Sequence, residues 1–166
     1  MSKGYSDLFS GTKGDLQKKS TKRIFDSTES TTQEITHKDA VSKIISAFTK
    51  NGTLTADSLH KNASVFVGNT VETYIEALEL IGYIVETNNS KKSRSGAKII
   101  KIKNESKNKN ISQLQVSPGG GRHGPSPYVK ISTNDIGKYK IVDVSITDYK
   151  QNADETAEII FIGDLK

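Results

Sequence analysis

The sequence predicts an α+β domain: N-terminal helices packed on one face of a four- to five-stranded antiparallel sheet. Three observations carry this. Apolar residues recur at helical spacing between residues 37 and 84. From Ala97 to Ile162 the pattern changes to short alternating runs separated by turn residues. The helical runs all precede the strand runs, an order that fits helices segregated from an antiparallel sheet rather than a βαβ repeat.

The elements follow in order. Residues 1–36 are polar, with Leu8, Phe9, Ile24 and Phe25 as the main apolar exceptions, and read as a mostly unpacked leader to a single domain over 37–166. His37 to Lys50 places Val41, Ile44, Ile45 and Phe48 on one helix face and stops at Asn51-Gly52. Thr55 to Asn62 is a second, short helix, and its His60 has no visible partner. Asn69 to Ile81 is the strongest helix. Asn69 with Glu72 forms a capping box, Val71, Tyr74, Ile75, Leu78 and Ile81 form its apolar face, and Gly82 ends it.

Strand runs follow at Tyr83–Val85, Ala97–Lys103, Ile111–Val116, Tyr128–Ser132, Lys138–Asp143 and Glu155–Ile162. Asn134-Asp135-Ile136-Gly137 reads as a hairpin turn.

Charge is concentrated in the sheet half. The 166-residue chain carries a net +5, yet between Val85 and Lys140 twelve basic residues face three acids. Such a basic face suits a phosphate backbone. A winged-helix reading is disfavoured, because the helix that would enter a groove carries Glu72, Glu76 and Glu79 and no Lys or Arg. With no cysteine there is no disulfide framework, thiolate zinc site or cysteine nucleophile. No run approaches the ~20 apolar residues of a membrane helix, and the polar start predicts no signal peptide of its own.

One loop gathers the unusual residues. Gln115-Val-Ser-Pro-Gly-Gly-Gly-Arg-His-Gly-Pro-Ser-Pro-Tyr128 holds all three prolines, at 118, 125 and 127, and four of the thirteen glycines. The glycines permit close backbone approach to a ligand, the prolines stiffen the exit, and Arg122 and His123 stand at the tip.

The histidines, at 37, 60 and 123, have no metal-ligand spacing, and the basic half offers few carboxylates. Neither a Walker motif nor a dinucleotide fingerprint is present. Chemistry without metal or cofactor on a phosphodiester is the expectation. RNA supplies its own 2′-OH nucleophile, so an enzyme needs an acid, a base and cations. Arg122 can fork a phosphate, and His123 can move a proton near neutrality. Strand alternation puts Tyr128, Lys130 and Ser132 on one face, where Ser126 and Thr156 can join them. Amides of Gly119, Gly120 and Gly121, with Lys138 and Lys140, complete a phosphate-binding set.

The run Ile111 to Thr133, with Gly137–Asp143, Tyr149-Lys150 and Glu155–Phe161, resembles the C-terminal toxin domains of polymorphic toxin systems and mobile elements of Gram-positive bacteria. Its most specific part is Arg122-His-Gly…Pro127-Tyr-Val-Lys-Ile-Ser132. The resemblance implies a metal-independent ribonuclease toxin of the barnase, EndoU, colicin or RelE type, acting in the bacterial cytoplasm of the producing or target cell. It also implies an immunity protein, which the basic face predicts to be acidic. EndoU-type enzymes use two histidines where this region has His123 alone, so Tyr128 or Ser126 is expected to orient the nucleotide or take the second place. The runner-up readings are a nucleic-acid-binding or phage or mobile-element accessory protein without catalysis, and an inhibitor that binds a host protein.

Overall fold

The computed structural model describes residues 36–93, 95–120, 124–150 and 155–165. Ala40–Lys166 forms one compact unit. Of the remainder, only residues 36–39 are described and they are helical, so the expected leader lies almost wholly outside the described residues.

Helix α1 covers residues 36–46 and buries Val41 and Ile44, with Ala47 just beyond its end. It stops short of the expected Lys50. Ala47 N–H and Phe48 N–H donate to carbonyls three residues back, at 3.1 and 3.0 Å, which tightens the last turn and ends the α geometry. Gly52, at φ +96°, completes the reversal. Helix α2 (Ala56–Lys61) is capped by Thr55, whose hydroxyl accepts from Ser58 N–H at 3.1 Å. A single turn, α3 (Ala63–Phe66), follows directly.

Helix α4 (Val71–Leu80) is capped by Thr70, not by Asn69. The Thr70 hydroxyl accepts from Thr73 N–H at 3.3 Å, while the Asn69 amide donates back to Val65 O at 2.8 Å and serves the preceding turn. The buried stripe is Thr73, Tyr74, Ala77 and Leu78, turned by one residue from the predicted face, with Val71, Ile75 and Ile81 only partly covered. The Tyr74 hydroxyl, donating to Phe66 O, anchors that rotation. Gly82 ends the helix at φ +99°, as its position predicts.

The sheet has six strands in sequential order: β1 (Val85–Asn89), β2 (Lys98–Ile102), β3 (Ile111–Ser117), β4 (Tyr128–Thr133), β5 (Lys138–Val142) and β6 (Glu158–Phe161). All neighbours are antiparallel except β5 and β6, which run parallel. This corrects the expectation of four or five antiparallel strands. The run at Tyr83–Val85 continues to Asn89 and pairs with β2 along its whole length, adding an edge. The stretch Asp143–Ala157 is long enough to return the chain to the same end of the sheet, as a parallel pair requires and a tight hairpin cannot do.

Alternation sorts the strand residues. Ile100, Leu114, Val116, Val129, Ile131, Tyr139 and Ile141 enter one hydrophobic cluster that also holds Ile44, Leu54, Leu59, Phe66, Tyr74 and Leu78. Asn110, fully buried, ties the segment before β3 to the one before α2. Its side chain accepts from Leu54 N–H and donates to Leu54 O, both at 2.8 Å, and donates to Asp135 at 2.8 Å. His60 has a partner after all: Glu158, 98 residues away in sequence, at 2.9 Å, with the Tyr139 ring edge-on to the imidazole.

Candidate nucleic-acid interface

The residues that alternate away from the core form a polar face. The register aligns Ile99, Gln115, Lys130 and Lys140 in one row across β2 to β5. Tyr128 stands in the adjacent row, opposite Ser117 and Val142. Above this floor is a cavity of about 1260 Å³. The β1–β2 hairpin forms one wall with Asn88, Asn89, Lys91 and Lys92, and the glycine loop forms another with Gly119, Gly120, Gly124 and Ser126.

Serine hydroxyls join the two walls. Ser117 Oγ accepts from Gly119 N–H at 3.2 Å and meets Ser95 Oγ at 3.2 Å. Gly120 N–H donates to Gly124 O at 2.8 Å, closing the loop's neck. Gly119 must be glycine: its φ is +90°, and a Cβ would run into the Pro125 carbonyl oxygen.

Five lysines and one carboxylate line the cavity among the described residues. The carboxylate is Glu155. Its Oε1 lies 2.9 Å from Lys130 Nζ and its Oε2 3.1 Å from Lys140 Nζ, and Ala157 N–H donates to it at 3.2 Å. Burial alone would push this carboxyl up. The hydrogen bonds from Lys130, Lys140 and the Ala157 amide more than offset it and bring the carboxyl down to about 2. Glu155 is therefore a fixed anion at neutral pH.

Lys140 is almost wholly enclosed. Its ammonium sits 4.2 Å from the Tyr128 ring centre and 5.6 Å from that of Tyr149, so two aromatic faces and one carboxylate replace its water. Gln115 donates to the Tyr128 hydroxyl at 3.1 Å. Burial pushes the Tyr149 phenol up to about 12.

Ser126, Tyr128, Lys130, Lys140, Gly119 and Gly120 thus meet around one cavity. Lys138 and Thr156 are exposed and do not line it. Lys138 lies one row further along β5, opposite Ser132. Thr156 precedes the last strand rather than opening it, because β6 begins at Glu158. Gly121, Arg122 and His123 lie outside the described residues.

Glu155, Gln115, Lys91, Lys92 and Lys101 also line the cavity and were not singled out as site residues from the sequence. The one available signal for Glu155 was an acid shortly before an apolar strand, in the acidic stretch that follows the basic segment.

No known family model matches the chain, and no curated protein or solved structure is detectably similar to it. Among the described residues, no group of three His, Cys, Asp or Glu side chains is placed to hold a metal ion, and no helix is long and apolar enough to cross a membrane.

Proposed function

We propose that the chain is a metal-independent ribonuclease of the toxin class, cutting RNA, with tRNA the first substrate to test. The supporting observation is the cationic cavity, where Ser126, Tyr128 and Lys130 meet glycines of the loop that carries Arg122 and His123. In this reading the 2′-oxygen attacks phosphorus, the bond to the 5′-oxygen breaks, and a 2′,3′-cyclic phosphate is left. The 2′-OH proton leaves to a base, and the 5′-oxygen gains a proton from an acid. His123 carries one of these transfers, and Tyr128 or Ser126 assists or orients the nucleotide. Arg122 and Lys130 stabilise the charge on phosphorus; the Gly119 and Gly120 amides, expected to join them, already donate to Ser117 Oγ and Gly124 O. Ile44, Phe66 and Leu78 of the helical half share one hydrophobic cluster with the core-facing strand residues, which leaves the lysine face to substrate. An acidic immunity protein covers the same face, and its binding weakens with salt. The site of action is the bacterial cytoplasm.

A second reading, binding without catalysis, draws support from Glu155, which already engages both Lys130 and Lys140. Incubation with total tRNA and with duplex DNA in EDTA separates the two. Cleavage of tRNA supports the ribonuclease. A salt-dependent gel shift with intact RNA supports the binding module, and the absence of both cleavage and a shift points to a host-protein inhibitor.

A further inference from the structure

We infer that the cavity is a subsite for a single-stranded stretch of nucleic acid, with Lys91, Lys92 and Lys101 gripping phosphates and the Tyr128 ring serving as a platform for a base. This deepens the reading above and rests on its premise that the cavity takes nucleic acid. Four observations carry it.

The cavity volume, about 1260 Å³, exceeds the ~300–1,000 Å³ of ordinary small-molecule pockets, so it suits a segment of a polymer. Its cations divide into two kinds. Lys130 and Lys140 are tied to Glu155, whereas Lys91, Lys92 and Lys101 are exposed on β2 and the hairpin wall. The exposed three are the ones placed to exchange water for phosphate oxygens.

Tyr128 is immobilised from two sides, by the Lys140 ammonium against its ring and by Gln115 on its hydroxyl. A half-buried aromatic held this firmly loses little freedom when a base stacks on it. The floor and wall beside it carry Ile99 and the amides of Asn88, Asn89 and Gln115, a mixture of apolar surface and amides that matches base faces and edges. A duplex hides its base faces and offers such a cavity only phosphates, while a single strand offers both. A polyanion without aromatic groups would satisfy the lysines but not the platform.

The test uses a short fluorescein-labelled oligothymidylate, read by anisotropy over a salt series. Lacking 2′-OH groups, it is bound and not cut. The expected slope of log K against log salt is about −2, for three phosphates on a single strand. Lys91→Ala, Lys92→Ala and Lys101→Ala should each weaken binding and flatten the slope by about 0.7. Tyr128→Leu should weaken binding roughly five- to a hundredfold at unchanged slope, and Tyr128→Phe, which keeps the ring, should bind nearly as wild type.

Equal affinity for the matching duplex, full binding by Tyr128→Leu, a Tyr128→Phe loss as large as that of Tyr128→Leu, or displacement by poly-glutamate as effective as by unlabelled oligothymidylate would each overturn the inference. Oligothymidylate binding with intact tRNA sinks only the ribonuclease reading. Cleavage of tRNA without preference for single strands in binding sinks only this one.

Discussion

The Glu155 carboxylate lies 3.1 Å from the Lys140 ammonium, and the Lys140 side chain is only 3% exposed. An ammonium so enclosed depends on its carboxylate, because two tyrosine rings cannot replace a lost charge partner. The same carboxylate holds Lys130, so one acid organises both lysines under the cavity floor.

Glu155→Ala should therefore destabilise the fold by roughly 3 kcal/mol, the scale for removing one partner from a buried pair. Double substitution with Lys140→Met should recover much of that loss, since no uncompensated charge remains. Urea unfolding at neutral pH measures both.

The pH dependence follows from the same contact. The Glu155 carboxyl is held at about 2 in the folded chain against an ordinary 4.5. Its stabilisation is complete above about pH 4.5 and is lost as pH falls towards 2, because the unfolded chain takes up the proton first. The stability gap between wild type and Glu155→Gln should narrow as the pH is lowered through that window, and a constant gap would contradict the assignment.

Two glycines of the loop should respond differently to alanine. Gly119 and Gly124 both have positive φ, but only at Gly119 does a Cβ meet backbone. Gly124→Ala should cost about 1–2 kcal/mol from the left-handed conformation alone. Gly119→Ala should cost more and loosen the Gly120–Gly124 closure, visible as faster exchange of the Gly120 amide.

Asn110→Ala should cost about 2–4 kcal/mol, since it leaves the Leu54 N–H and C=O without their partner in the core. Thermal unfolding checks the size, and hydrogen exchange at Leu54 checks the site.

Under the proposed reaction, His123→Ala should lower the rate of RNA cleavage by about 10²–10⁴ with little change in binding. Arg122→Ala should weaken both binding and turnover. Cleavage that needs added magnesium, or an unaffected rate in His123→Ala, would remove the mechanism.

Local pattern was enough for several features. The alternation of Tyr128 to Ser132 already assigned Tyr128 and Lys130 to one face and Val129 and Ile131 to the other, because side chains on a strand alternate with period two whatever the strand pairs with. The stop at Gly82 and the turn at Asn134–Gly137 were legible for the same reason: each depends on a few neighbouring residues, and Gly82 and Gly137 have the positive φ expected there.

What depended on distant chain had to wait for the fold. The direction of β6 is set by how a long connection returns, which no periodicity encodes. The pairing of His60 with Glu158 joins residues 98 apart, and the choice of Thr70 over Asn69 as a cap follows from Asn69 bonding the preceding turn. Glu155 is the clearest case. In sequence it is an acid on the approach to a strand, and only the register that sets Lys130 opposite Lys140 places two ammoniums where one carboxylate can bridge them. Alternation is a local property of the backbone, whereas charge pairing across a sheet exists only once the strands have met.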